Sequence, residues 1–176
     1  MRRPSLTVTI ITLNEEENLP RALESVRWAE EILVVDSGST DRTIQIAEKA
    51  GARVLSNPFL SYGKQKNFAQ VHASHDWVLN IDADEVVSPA LIEEIRLTLE
   101  QATEGSEAAR GYFLPRKTFY LGRWIEHGGW YPDSSVRLAD RRHAHWTEPS
   151  VHEHLEVNGR VRALRSPLHH YAFVDI

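Results

Sequence analysis

The chain has 176 residues and a mass of 20.1 kDa, enough for one well-buried domain and short for two. Apolar residues make up 41% and charged residues 26%, a balance that excludes a disordered chain. It has no cysteine, which excludes a disulfide framework and a thiolate metal site, and no apolar run long enough to span a bilayer.

The N-terminus "MRRPSLTVTIITLNEE" carries two arginines, but its apolar run already has a strand pattern and no small-residue cleavage site follows. No signal peptide is expected, which fits a cytoplasmic protein. The net charge of −5 conceals an asymmetry. Residues 1–109 carry 10 Lys/Arg against 18 Asp/Glu, a balance of −8; residues 110–176 carry 10 against 7, a balance of +3, with seven of the nine histidines. Two sides of one site, or two partners, would account for such charges, as would ordinary drift of surface charge. No nucleic-acid partner is expected.

The pattern alternates regularly through the first hundred residues. "LTVTIITL" (6–13) is a strand rich in β-branched residues. A helix follows, with Leu19, Ala22, Leu23 and Val26 on one face and Pro20 in its first turn. "EILVVD" (31–36) is a second strand, and "STDRTIQIAEKAG" a helix with Ser39 or Thr40 as cap and Gly51 past its end. "ARVLSN" (52–57) is a third strand, 62–73 a third helix, and "DWVLNID" (76–82) a fourth strand. Ser88-Pro89 opens a helix through Leu99, a capping residue before a first-position proline. Residues 100–111 are a polar loop, and beyond them come short strands and turns with aromatics.

Continuous apolar strands alternating with helices predict an open, mainly parallel α/β sheet flanked by helices. The later section is too small for its own core and is expected to pack across the end of the sheet, as a small β-rich extension of one domain. In such sheets ligands bind outside the carboxyl ends of the strands. Polar residues gather at those ends: Thr12, Asn14 and Glu15 after the first strand, Asp36 to Asp41 after the second, Asp82 to Glu85 after the fourth.

The D-x-D of "NIDADE" places Asn80, Asp82 and Asp84 on one strand face, where two carboxylates can converge on a hard divalent cation that keeps positions for phosphate oxygens. A solvated acidic turn before a helix is the plainer reading. Asp36 ends its strand where an acidic side chain can reach a ribose hydroxyl or a base edge. Neither G-x-G-x-x-G nor G-x-x-x-x-G-K-[ST] is present, so phosphate must be held without a glycine-rich loop. A cation on Asp82 and Asp84 would supply that hold.

"TIITLNEEENLPRALESV", "ILVVDSGSTDRT", "YGKQKNFA" and "WVLNIDADE" together resemble the inverting glycosyltransferases of family 2, which have the GT-A fold. "GGWYPDSSVRL", "SVHEHL" and "LHHYAF" look most like the subgroup of lipopolysaccharide-core β-glucosyltransferases. The resemblance implies a donor half over residues 1–100 and an acceptor half over 110–176. It implies that Thr12, Asn14, Glu15, Asp36 and Asp41 surround a uracil and ribose, and that Gln65, Lys66 and Asn67 face the nucleotide. Asp82 would lie near ribose and metal, and Asp84 would bind Mn²⁺ or Mg²⁺ on the diphosphate. The partners implied are a nucleotide-sugar, UDP-linked, and a glycan or glycolipid acceptor, with peripheral contact at the inner face of the cytoplasmic membrane. The subgroup continues past "LHHYAF", so the chain is expected to be truncated there.

Inverting transfer needs a base to take the acceptor's proton. The family's usual E-D pair before an arginine is absent; Glu153 stands first as base and Asp133, four positions before Arg137, second. Glu153 could instead pair with an arginine, and Arg137 with the diphosphate or with Asp133. His152 could serve as a ligand or as a structural histidine. Trp124, Trp130 and Tyr131 could form a sugar-stacking wall, and "ADRRHAH" (139–145) a basic patch. The competing readings are an Asp-based phosphotransferase, whose D-x-D usually follows the first strand, a nucleotidyltransferase, whose glycine-rich loop is missing, and a sugar-nucleotide-binding remnant without transfer.

Overall fold

The computed structural model describes residues 4–102, 108–125, 133–148 and 153–171. Strands β1 (Leu6–Thr12), β2 (Glu31–Asp36), β3 (Arg53–Ser56) and β4 (Trp77–Asp82) run parallel in the order β3-β2-β1-β4. Helices α1 (Leu19–Ser25), α2 (Thr43–Lys49), α3 (Tyr62–His72) and α4 (Pro89–Glu100) cover them. Leu6, Val8, Ile10, Val34, Leu79 and Ile81 face α1, α2 and α4 in the main core, while Leu33, Val35 and Ile11 pack on Ala69 and Phe68 of α3. Apolar residues are therefore needed on both faces, which is why these strands read as unbroken hydrophobic runs.

Two of the four helices, α3 and α4, start with a side-chain cap. The Ser88 hydroxyl accepts from the Leu91 amide at 3.2 Å with Pro89 in the first turn, as expected. Ser61 does the same for α3, at 3.3 Å from the Lys64 amide. For α2 the expectation fails: the helix begins at Thr43 behind Arg42, without a side-chain cap. Ser39 and Thr40 are drawn instead to Asn14 in the neighbouring loop.

The later section departs from expectation. β8 (Asp133–Asp140) pairs antiparallel with β4, and β6 (Ala109–Tyr120) antiparallel with β8. β12 (Leu168–His170) then joins β6 in parallel and β5 (Glu85–Val87) antiparallel, so the sheet runs β3-β2-β1-β4-β8-β6-β12-β5. The later strands thus lengthen the sheet beyond β4 instead of packing across its end. An exposed β4 edge would leave a row of unpaired backbone groups, and β8 satisfies them. β7 (Arg123–Trp124) and β11 (Arg160–Ala163) add to β6, and β9 (Ala144–Trp146) and β10 (Leu155–Val157) form a separate ribbon over α3.

One carboxylate pins the amino-terminal edges. Glu31 accepts from the Thr7 hydroxyl (2.6 Å), the Ser74 amide (2.7 Å) and hydroxyl (2.8 Å), and Arg53 Nε (2.9 Å). Burial pushes its pKa up, but these bonds outweigh it and bring the carboxyl down to about 2. A carboxyl below its unfolded value stabilises the fold above the unfolded pKa and loses that contribution as pH falls through the folded one. The stability difference between wild type and Glu31→Gln should therefore be full above pH about 4.5 and vanish towards pH about 2 in urea titrations.

Candidate active site

A cleft of about 370 Å³ opens at the carboxyl ends of β1, β2 and β4. Thr12 and Glu15 line it from the first loop, Ser37 from the second, Asp82 and Asp84 from the end of β4, and His170 from β12. Leu13, Phe59 and Tyr62 form its apolar lip at 50%, 45% and 59% exposure, and the Phe59 and Tyr62 rings meet edge-on with centroids 5.1 Å apart.

The floor is two loops laced by side chains. Asn14 adopts a left-handed φ of 54°, a conformation that asparagine tolerates better than most residues. Its amide donates to Ser39 Oγ at 2.8 Å, and its side-chain oxygen accepts from the Thr40 amide at 2.8 Å. Asp36 is fully buried: Oδ1 accepts from the Thr12 and Ser39 hydroxyls (2.9 and 2.5 Å), Oδ2 from the Gly38 and Ser39 amides (both 2.8 Å). Burial pushes its carboxyl up, but these donors hold it below its ordinary pKa. Asp41 accepts from the Thr43 and Glu16 amides. Both oxygens of Asp36 and of Asp41 are thus used in building the loops. Glu15 faces the cleft, its pKa raised by burial and by the charges of Asp84, Asp41 and Asp82.

The strand end is arranged differently from a simple alternation. Asp82 closes β4, Ala83 and Asp84 form a turn, and Glu85 opens β5, so Asp84 shares no strand face with Asp82. The turn nevertheless returns Asp84 to the same cleft. Asn80 donates to the Thr9 hydroxyl within the sheet and does not reach the cleft. Asp82 Oδ1 lies 3.4 Å from Lys66 Nζ, and Oδ2 lies 3.3 Å from Arg137. Burial raises the Asp82 pKa, but Arg137 and then Lys66 outweigh it and hold the group far below the carboxylate range. Glu85, with no exposed surface, accepts from Arg137 at 3.0 Å; its pKa is raised by burial against the pull of Arg137.

The predicted residues of α3 divide. Lys66, 4% exposed, also holds Glu153 Oε1 at 2.9 Å, so Glu153 pairs with a lysine rather than an arginine and stands one residue from Asp82. Gln65 bonds Ser37 and Asn57, supporting the floor from behind. Asn67 is bonded both ways to the Trp146 backbone and fixes β9 on α3, outside the cleft. Asp133 pairs with Arg116 on the half-exposed start of β8 and does not line the cleft. Arg137 therefore turns to Asp82 and Glu85, not to Asp133. Trp124 packs with Phe119, His169 and Tyr171. Trp130, Tyr131 and His152 lie outside the described residues. The arginines of "ADRRHAH" are tied to Asp76 and buried Asp140.

Among the described residues no three His, Cys, Asp or Glu side chains converge as a metal cage. Both Asp82 oxygens face cations; the other acidic groups on the cleft are Glu15 and Asp84, and Asp84 Oδ2 lies 3.3 Å from His170 Nε2. One carboxylate and one imidazole fit Mg²⁺ or Mn²⁺ only if phosphate oxygens and water complete the shell, which is the usual arrangement of an ion that arrives with a diphosphate. His170, Ser37, Phe59 and Tyr62 were missed from the sequence; "PFLSY", an apolar run in a loop, was the available signal for two of them.

This sheet, with its cleft at the parallel strand ends, is that of the GT-A glycosyltransferases. The chain belongs to glycosyl transferase family 2, whose profile matches residues 7–144. It is 33% identical over 172 residues to the lipopolysaccharide core biosynthesis glycosyltransferase LpsC of Rhizobium meliloti (strain 1021), covering 92% of this chain and 60% of LpsC. It is 32% identical to an uncharacterised glycosyltransferase of Rickettsia typhi, covering 97% of this chain and 61% of that protein. Other relatives match over shorter stretches: one from Rickettsia bellii is 50% identical over 91 residues, 31% of its length, so the chain spans under two thirds of these relatives. Glucosyl-3-phosphoglycerate synthase of Mycobacterium tuberculosis, solved with Mn²⁺, UDP and glucosyl-3-phosphoglycerate, superposes with TM-score 0.52 and 27% identity, over 68% of this chain and 45% of that one. TarS of S. aureus, solved with UDP, shares the fold at TM-score 0.55 and 22% identity, over 70% and 38%.

Gly63 sets how closely α3 approaches the segment leading to Glu153. A Cβ there would fall 2.1 Å from the Thr147 carbonyl oxygen and 3.2 Å from Glu148 Cα, both backbone. Thr147 in turn holds His154 through paired backbone and hydroxyl bonds. Gly63→Ala should therefore lower stability by about 1–3 kcal/mol, read as a lower urea midpoint with unchanged slope.

Proposed function

We propose that this chain transfers a sugar from a nucleotide-diphosphate sugar, UDP-linked, to a hydroxyl of a cell-envelope glycan or glycolipid, with inversion. The observation that carries this reading is the convergence of Asp82 and Asp84 with Thr12, Glu15 and Ser37 on one cleft that has an aromatic lip. The lip suits a nucleobase, the floor hydroxyls suit a ribose, and the acidic turn suits a diphosphate carried on a divalent cation at Asp84 and His170. When bound, such a cation offsets the charge that grows on the departing diphosphate. UDP in the relatives from M. tuberculosis and S. aureus supports the nucleotide, and the likeness to LpsC supports an acceptor of the lipopolysaccharide core, met at the cytoplasmic face of the membrane. No helix among the described residues is long and apolar enough to cross a membrane.

The base is Glu153. The acceptor oxygen attacks the anomeric carbon opposite the diphosphate, the carbon–oxygen bond to the diphosphate breaks with its electron pair, and Glu153 takes the hydroxyl proton. Its carboxylate is free to do so by exchanging its bond from Lys66 for one from the hydroxyl. Neither Glu153 nor Asp133 is among the residues lining the cleft; Glu153 comes first because it meets Lys66, which also meets Asp82, whereas Asp133, the second candidate, is tied to Arg116. The non-catalytic reading differs in one respect: donor would bind and no transfer would follow.

Calorimetric titration with UDP should show binding that requires Mn²⁺ and is abolished in Asp84→Ala. Glu153→Gln should keep that binding and lose transfer by about 10²–10⁴-fold, whereas Asp133→Asn should retain it. UDP binding in neither condition would sink the UDP reading, and transfer surviving in Glu153→Gln would pass the role to Asp133.

A further inference from the structure

We propose that Glu85 is a positioning residue, a clamp that holds Asp82 and Asp84 in their places without touching the ligand; its functional consequence rests on the sugar-nucleotide reading above. Glu85 has no exposed surface and does not line the cleft. Its two oxygens hold two different parts of Asp82. Oε2 accepts from the Asp82 amide at 2.9 Å, closing the turn over residues 82–85 as a ring. Oε1 accepts from the Arg137 guanidinium at 3.0 Å, and both terminal nitrogens of that guanidinium lie 3.3 Å from Asp82 Oδ2.

The guanidinium is itself fixed, because Arg137 Nε donates to Ser135 Oγ at 3.1 Å and the side chain is 8% exposed. The far side of the turn is tied as well: the Tyr171 amide donates to the Asp84 carbonyl at 2.9 Å, and Glu85 pairs with His170 across β5 and β12. Asp84 therefore sits between the Glu85 ring and the β12 strand that carries His170.

A carboxylate is not a natural choice for a core position, since burying one costs several kcal/mol unless it is fully paired. An apolar residue here would leave the Asp82 amide without its acceptor and Arg137 with a single counter-charge. Glutamine can satisfy only one of the two ties, because whichever way its amide is turned the NH₂ meets a donor, either the guanidinium or the Asp82 amide, and the turn loses one of its two holds. Aspartate is one methylene short of reaching both.

Hydrogen exchange on the unliganded chain reads the clamp directly. In Glu85→Gln, the amides of residues 82–84 should exchange about tenfold faster, with those of β1 and β2 unchanged. Mn²⁺-dependent UDP affinity should fall about 10- to 100-fold, as for other residues that orient a ligand-binding group. A double-mutant cycle separates positioning from general weakening: Glu85→Gln added to Asp82→Asn should lose less than the sum of the two single losses, because part of the Glu85 effect runs through Asp82, and the full sum if Glu85 acts independently of it. Unchanged exchange at 82–84, or additive losses, would overturn the proposal. Should Glu85→Gln fail to fold, Glu85→Asp, which keeps the charge and falls one methylene short of both ties, replaces it in both measurements with the same outcomes decisive. Failure of wild type to bind UDP would refute the proposed donor, while the exchange data would still decide the clamp.

Discussion

The site depends on one line of alternating charge. Glu153, Lys66, Asp82, Arg137, Glu85, Arg116 and Asp133 stand in that order, each within 4 Å of the next. No single pair in it would stabilise the fold by much, since desolvation offsets most of the attraction between buried ions. Removing one member would leave its neighbours charged and partly buried, which is far more costly than the pair was worth. The line is therefore better understood as a device for register. It fixes a lysine of α3, the end of β4 and two arginines of later strands relative to one another.

The line runs between the two halves of unequal charge. The acidic half supplies Asp82 and Glu85, and the basic half supplies Arg137 and Arg116, but the traffic is not one-way: Lys66 comes from the acidic half and holds Glu153 from the basic one. The two halves are joined electrostatically in both directions at the place where β4 changes from a parallel neighbour to an antiparallel one. Ligand sites in open α/β sheets favour such changes of strand arrangement.

Much of the amino-terminal half was legible because its information is local. Strand–helix alternation, the Ser88-Pro89 start and the gathering of polar residues at strand ends all follow from patterns a few residues long. What stayed hidden depends on partners far away in the chain. β12 is three residues long and finds β6 fifty-two positions earlier, and nothing in "LHH" says so. Arg137 meets Asp82 across fifty-five positions, so its preference over Asp133 could not be read from their spacing. The direction of a loop carboxylate is hidden for another reason. Asp36 and Asp41 were legible as residues of a polar stretch at a strand end, but whether they turn outward or inward to backbone amides is decided by the turn they themselves create.

The lacing of the first two loops has a consequence for energetics of recognition. Asn14 with Ser39 and Thr40, Asp36 with Ser39, and Asp41 with the Glu16 and Thr43 amides satisfy their polar groups without any ligand. The residues of these loops that line the cleft, Thr12, Glu15 and Ser37, stand on a frame that is ordered beforehand, so little of a guest's interaction energy is spent on freezing the host. Affinity on this side of the cleft is then set by desolvation of the guest, and its discrimination is that of a rigid template, which rejects a wrong shape where a pliable one would adapt to it.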